Sequence, residues 1–243
     1  MPDFSKELEE YKHQLFSTYN NAMIYLCERG ISLETAKYWQ LGYSPIGYEP
    51  DCYKDNEENK SWKKMNGRLI IPIIDQNGKV ISLSGRRVDD ITGPKYDHYP
   101  FPARRILFGL YQNKSNIRKK NMAIITEGQM DVISAWQNGM RVVTSSFGAH
   151  ASADHLALIS RYANELNILY DADAAGLKGL KIFDDIESKS DITCRLCTDI
   201  FRHGEDLDNF SKYHSFDELK TLIIKVNTNK VLTKIEKEKE KKI

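Results

Sequence analysis

Carboxylates are the residues whose type and spacing in this chain could do chemistry. Glu127 directly follows the apolar run Met122 to Thr126, and Gly128 after it permits a sharp turn into a helix. Asp131 then falls one helical turn further on. Asp171 and Asp173 close a second apolar run, Asn167 to Tyr170. Residues two apart on extended backbone point to one side, so this pair can share a cation. Asp206 and Asp208 form a third cluster after Gly204. Asp and Gly are also ordinary turn formers, and any one cluster alone reads equally well as a turn. Together they say more. Two carboxylates about 4 Å apart repel by about 4 kcal/mol at an effective dielectric near 20. That is a large part of the roughly 5–15 kcal/mol by which a domain is stable. Convergence of several therefore calls for a cation. Hard oxygen donors suit Mg²⁺ or Mn²⁺, and the chemistry they point to is divalent-metal phosphoryl transfer.

These side chains need a scaffold that brings distant segments together. From Met122 onward, short apolar runs alternate with helical stretches: Met122–Thr126, a helix over 129–138, Arg141–Ser145, a helix over 152–163, Asn167–Tyr170, a helix over 175–187, and Ile192–Leu196. Such alternation predicts a parallel sheet covered on both faces. Functional residues then collect at the carboxyl ends of its strands. Upstream the rhythm differs. Leu8, Tyr11, Leu15, Tyr19, Ala22 and Leu26 recur at spacings of three and four, predicting one continuous helical stripe that Gly30 ends. Ser32 caps a short helix reaching Trp39, and the polar stretch 42–64 with Pro45 and Pro50 reads as loop. Arg68–Ile74 and Lys79–Gly85 read as two strands joined by an Asn77–Gly78 turn, followed by an irregular basic segment over 87–105. Short helices and a Lys/Glu-rich tail follow Gly204. The expected class is α/β. An α+β amino-terminal subdomain occupies 1–116, a metal-binding α/β domain 117–203, and a carboxyl-terminal helical segment 204–243.

Composition narrows the function classes. The 243 residues, 41% of them hydrophobic, can bury one sizeable core or two small ones, which excludes a disordered chain. A formal net charge of +1 excludes a uniformly basic nucleic-acid coat but not a local basic face. Arg68, Arg86, Arg87, Lys95, Arg104 and Arg105 supply such a face beside Tyr96, His98, Tyr99 and Phe101. Rings interleaved with cations suit a single-stranded nucleic acid; an ordinary solvated surface is the plainer alternative. The acidic start, MPDFSKELEE, and the lack of any long apolar run predict a soluble, cytoplasmic protein with no membrane partner. Cys194 and Cys197 have no second cysteine pair, and on a strand residues three apart face opposite sides, so a shared metal there is unfavourable.

The stretches Thr126–Val132 (TEGQMDV) and Leu169–Gly176 (LYDADAAG) resemble the two signatures of the Toprim fold, shared by topoisomerases, some nucleases and bacterial primases. Tyr25–Gly30, Leu41–Pro45, Gly67–Ile73, Asn77–Ile81, Gly85–Arg86, Pro94–Tyr96, Leu107–Tyr111 and Ser152–His155 resemble, in order, segments of the catalytic core of DnaG-type bacterial primases. The resemblance implies a Toprim-type parallel sheet flanked by helices, preceded by the α+β subdomain. It implies a DNA primase core that makes short RNA primers on a single-stranded DNA template from ribonucleoside triphosphates. Carried over residue by residue, it makes Glu127, Asp171 and Asp173 catalytic. Glu127, Asp131, Asp171, Asp173, Asp206 and Asp208 become the donors to Mg²⁺ or Mn²⁺. Arg86 and Lys95 become cleft residues for template or nucleotide phosphates. A Toprim nuclease and a non-catalytic DNA-binding replication regulator are the alternatives.

The chain departs from the family pattern in places. Phe101–Arg105 (FPARR) stands for Phe-x-Lys-Gly-Arg, moving a basic contact to Arg104; Asp97–Pro100 replaces Leu-Asn-Ser-Pro; and Ala174 stands where a basic residue is common. No zinc-binding part is expected near residues 1–20, and no helicase-binding part after the core. The resemblance thus implies a trimmed core, or a minimal phage or mobile-element form served by a replicative helicase and a separate zinc-binding subunit.

Overall fold

The computed structural model describes residues 4–54, 60–148, 151–170, 192–197, 200–201 and 206–226. They belong to two compact units, Met1–Pro102 and Ala103–Ile243.

The first unit sets three helices, α1 (Ser5–Ser17), α2 (Asn21–Glu28) and α3 (Leu33–Tyr38), beside an antiparallel sheet. Its strands are β1 (Gly42–Ser44), β2 (Arg68–Ile74), β3 (Val80–Arg87) and β4 (Tyr96–His98), in the order β1-β2-β3-β4. The continuous stripe expected from residue 5 to Gly30 is broken at 18–20. Asn20 is the cause: its Oδ1 accepts from Met23 N at 2.9 Å to cap α2, while its Nδ2 donates back to Leu15 O at 3.1 Å at the end of α1. One amide thus closes one helix and opens the next, and Tyr19, assigned to the stripe, is 79% exposed. The central hairpin has the expected strands, with β3 running two residues beyond Gly85. Pro72 sits in β2 beyond the part that β1 pairs (Arg68–Ile70), where a missing N–H costs least. The loop over 42–64 contains β1 and two short 3-10 turns, and the segment 87–105 contains β4. At this edge strand, His98 N donates to Asp97 Oδ1 at 2.8 Å and the Lys64 ammonium donates to the His98 carbonyl.

Three buried ions organise this unit. Glu7, 2% exposed, accepts the hydroxyls of Tyr11 (2.9 Å), Tyr99 (2.5 Å) and Tyr53 (2.8 Å). Asp89 accepts from Asn21 Nδ2 on α2 and from the Tyr43 hydroxyl on β1, both at 2.7 Å. Arg68, 3% exposed, donates to the carbonyls of Lys64, Gly85 and Pro94 at 2.9–3.2 Å. Each draws elements far apart in sequence onto one side chain.

The second unit is built on a parallel sheet of β5 (Met122–Thr126), β6 (Val143–Ser145), β7 (Glu165–Ile168) and β8 (Thr193–Leu196), in the order β6-β5-β7-β8. The register places Ile125 beside Thr144 and Ile168. β5 is buried along its whole length, and β7 is buried from Leu166 to Ile168, as suits inner strands of a parallel sheet. The strands β5 and β8 fall near the expected places, and β7 starts two residues earlier than expected. Crossover helices α5 (Gln129–Gln137) and α6 (Ala153–Ile159) join the strands; the expected helix over 175–187 lies outside the described residues. A helix that periodicity missed, α4 (Leu110–Lys120), is tied to β6 by Asn113 Nδ2 donating to Val143 O at 2.7 Å. α7 (Leu207–Tyr213) packs on α5, and a helix over 216–226 follows.

The Glu7 cage makes two measurable demands. Removing its acceptor in Glu7→Leu strands buried phenols, and urea unfolding should show a loss of about 2–4 kcal/mol. Burial raises the Glu7 carboxyl above its ordinary 4.5 against the pull of the three phenols. The native state then holds this proton more tightly than the unfolded chain. Stability falls as pH rises from about 4.5 through the raised native value, and levels off above it. Glu7→Gln should flatten that segment of the stability–pH curve.

Candidate active site

In the second unit, parallel register gathers the carboxyl ends of the strands on one edge, and the loops there are tied together. Glu127 follows β5 and is half-buried. Its carbonyl accepts from Ser145 Oγ at 2.7 Å and Gly148 N at 3.0 Å, fixing the turn after β5 against the end of β6. Ser146 in turn shares a 2.7 Å hydrogen bond with the Tyr170 hydroxyl beyond β7. Burial pushes the Tyr170 phenol up to about 12, with the nearby Glu127 charge adding to the shift. Asp131 Oδ2 accepts from Gly128 N at 3.2 Å and caps α5. A Cβ at Gly128 would meet Asp131 Oδ2 at 2.7 Å, so a side chain there would displace the capping carboxylate.

The other carboxylates belong to α7. Asp206 caps it through Asn209 N at 2.8 Å. Asp208 is 2% exposed with Lys212 Nζ at 3.4 Å, one turn away. This helix meets α5, the helix of Asp131, through Ser134 Oγ and Ser211 Oγ at 3.2 Å. Among the described residues no three Asp, Glu, His or Cys side chains gather as a metal-holding set. Asp171 and Asp173 lie outside the described residues. The four described candidates are all carboxylates, a donor set that fits a hard divalent cation.

The basic residues separate into different environments. In the first unit, Arg68 is a buried strut whose donors are spent on backbone carbonyls, because it crosses under β3 instead of reaching solvent. Its stem fills the space over Gly85, where a Cβ would meet Arg68 Cδ at 2.6 Å. Arg86, next along β3, lies opposite Tyr96 with its guanidinium 5.0 Å from the ring centroid. Arg87 and Lys95 are exposed, and Arg87 Nη1 donates to Gly93 O at 2.7 Å to close the intervening loop. Tyr96 stacks on His98 at 6.3 Å, and His98 meets Phe101 edge-on at 5.8 Å, all partly exposed. Tyr99 instead turns into the core, stacked on Phe4 at 5.2 Å.

In the second unit, Arg104 and Arg105 are exposed on a 3-10 turn, Ala103–Arg105. Ser152 and His155 hold that turn. Ser152 Oγ donates to Arg104 O at 2.6 Å, and His155 Nε2 lies 2.8 Å from Ala103 O. Ser152 N donates to His155 Nδ1 at 3.1 Å, so Nδ1 accepts and Nε2 carries the proton. The exposed Arg105–Asp154 pair at 3.3 Å contributes little beside these. His155 is thus a brace for the arginine turn, a role that its sequence neighbours do not announce. The same holds for the Ser146–Tyr170 tie, made by residues 24 apart.

Two changes probe these supports. Burial lowers the proton affinity of His155 below the ordinary 6.5. The native state disfavours the proton, so stability is full above about 6.5 and is lost as pH falls below it. His155→Gln should remove that acid-side loss in thermal melts at a series of pH values. Gly85→Ala, which presses on the Arg68 stem, should cost about 1–3 kcal/mol by denaturant titration.

Comparison with known proteins places these features in context. Residues 48–114 match the family described as DNA primase catalytic core, N-terminal domain, and residues 124–211 match the Toprim-like family. The DNA primase of Legionella pneumophila is 34% identical over 191 residues, covering 70% of this chain and 33% of that protein. The DNA primase of Aquifex aeolicus is 29% identical over 233 residues, covering 88% and 46%. The chain thus spans about a third to a half of these relatives. Among solved structures, the Aquifex aeolicus primase with its zinc-binding and RNA polymerase domains superposes with a TM-score of 0.76 at 28% identity, covering 90% of this chain and 58% of that one. A DNA primase domain from Pseudomonas aeruginosa gives 0.77 at 26%, covering 91% and 77%. A DnaG primase catalytic domain bound to single-stranded DNA gives 0.75 at 25%, covering 90% and 78%.

Proposed function

Because the chain belongs to the DnaG-type primases, as a catalytic core with a Toprim domain, we propose that it synthesises short RNA primers on single-stranded DNA by nucleotidyl transfer. The observation that carries this reading is the ordered match of both halves of the core, with Glu127 on the carboxyl edge of a parallel sheet. The template, the ribonucleoside triphosphates and the reaction belong to this proposal.

Glu127, Asp171, Asp173 and Asp206 are the proposed ligands of Mg²⁺ or Mn²⁺, flanked by Asp131 and Asp208. A divalent ion, when bound, supplies charge neutralisation at the attacking and leaving oxygens of phosphoryl transfer. Asp131 and Asp206 each commit an oxygen to a helix cap, which presets where the rest of the carboxylate can point. Glu127 also stands as the group that takes the proton from the attacking 3′-hydroxyl at its carboxylate oxygen. The Ser145 and Gly148 bonds to its carbonyl hold its backbone still.

Arg86, Arg87, Lys95, Arg104 and Arg105 are the proposed contacts to template and nucleotide phosphates, with Arg68 bracing the backbone at Gly85 and Pro94 beside Arg86 and Lys95. Tyr96, His98 and Phe101 offer faces for stacking unpaired bases. A replicative helicase and a separate zinc-binding protein are the proposed partners. No helix among the described residues is long and apolar enough to cross a membrane; the cytoplasm is the proposed place of action.

The test is primer synthesis on single-stranded DNA with ribonucleoside triphosphates and Mg²⁺ or Mn²⁺, helicase supplied. Asp171→Ala should lower the yield at least about a hundredfold, the scale of several kcal/mol of lost charge stabilisation. Absence of primers from the wild type, or metal-dependent cleavage of the DNA in their place, would overturn the reading.

A further inference from the structure

Arg86, half-buried on the inner strand β3, is held between aromatic rings. Its guanidinium carbon lies 5.0 Å from the Tyr96 ring centroid on one strand and 5.2 Å from the Tyr25 ring centroid on α2. Both distances fall within the range of cation–π attraction. Among the described residues Arg86 makes no ion pair, and its buried Nε meets no acceptor. The position of Tyr25 is itself secured one turn earlier, where Asn21 binds the buried Asp89 that also receives the Tyr43 hydroxyl. Arg29, the C-cap of α2, brings a second guanidinium to 5.4 Å from the same Tyr25 ring.

An arginine can be positioned by a carboxylate or by aromatic faces, and the two have opposite consequences. A carboxylate neutralises the cation and occupies its N–H edge. Rings hold the flat guanidinium while leaving its charge, and they do not consume its in-plane donors. We infer that Tyr25 is a positioning residue that presents Arg86, charged and uncommitted, to a phosphate of single-stranded DNA. This rests on the proposed DNA contact of Arg86 and extends it to a residue on another element. Tyr25 was not among the residues whose type or spacing pointed to chemistry, because its partner is 61 positions away in the chain.

Fluorescence anisotropy with a labelled single-stranded oligonucleotide, over a salt series, tests the inference on the whole chain. Arg86→Ala should weaken binding and lower the salt slope by about one. Tyr25→Leu should weaken binding about three- to tenfold, and Tyr25→Phe should restore it to within about twofold, since the ring and not the hydroxyl does the holding. In an Arg86→Ala background, Tyr25→Leu should bring no further loss. Thermal melting verifies that each variant is folded, and Tyr25→Met carries the same test should the leucine variant unfold. No loss from Tyr25→Leu, or the same loss with and without Arg86, overturns the inference while sparing the DNA contact. An Arg86→Ala protein that binds as the wild type does defeats the underlying contact, and the inference falls with it.

Discussion

Glu7, Asp89 and Arg68 are buried ions hydrogen-bonded to phenols, an amide and backbone carbonyls, and the architecture of the first unit depends on that choice. Desolvating a charge costs several kcal/mol even after relaxation, and a neutral donor or acceptor recovers part of it without requiring an opposite ion. The geometric yield is high. Glu7 joins α1 to the 3-10 turn near residue 53 and to the residue after β4, while Asp89 joins α2 to β1. Arg68 joins β2 to the carbonyls of Gly85 and Pro94 on either side of the loop that Arg87 closes. Cations that are not needed for this framework stay near the surface, where their charge is still available.

The second unit is organised differently, by parallel pairing of its strands. Parallel pairing of β5 with β6 and β7 brings the loop after each strand to the same edge. Two carboxylates of this unit serve the backbone, Asp131 at the start of α5 and Asp206 at the start of α7. A cap orients a carboxylate and offsets some of its charge through the helix dipole.

Much of this was legible in the amino-acid order, and the rest had physical reasons to be hidden. β2, β3, β5 and the alternation of strand and helix are written in local apolar pattern, so they could be read without a partner. The motif residues Gly85 and Gly128 were legible as glycines, but the reason for each lay in a side chain above it, the Arg68 stem and the Asp131 carboxylate. The break at Asn20 was concealed because the apolar spacing continues across it, and capping chemistry won over periodicity. Arg68 was grouped with surface cations since burial of an arginine depends on carbonyls supplied by three separate segments. Helix α4 was missed because its buried side rests on few apolar residues and on Asn113.

The rim of the first sheet has a consequence of its own. Strand β4 is three residues long, and its His98 N–H and carbonyl are already engaged by Asp97 and Lys64. Another chain approaching in extended form would find no free pair of backbone groups at His98 and would meet a charged lysine and aspartate in their place. This edge is thereby guarded at His98 against the addition of another strand.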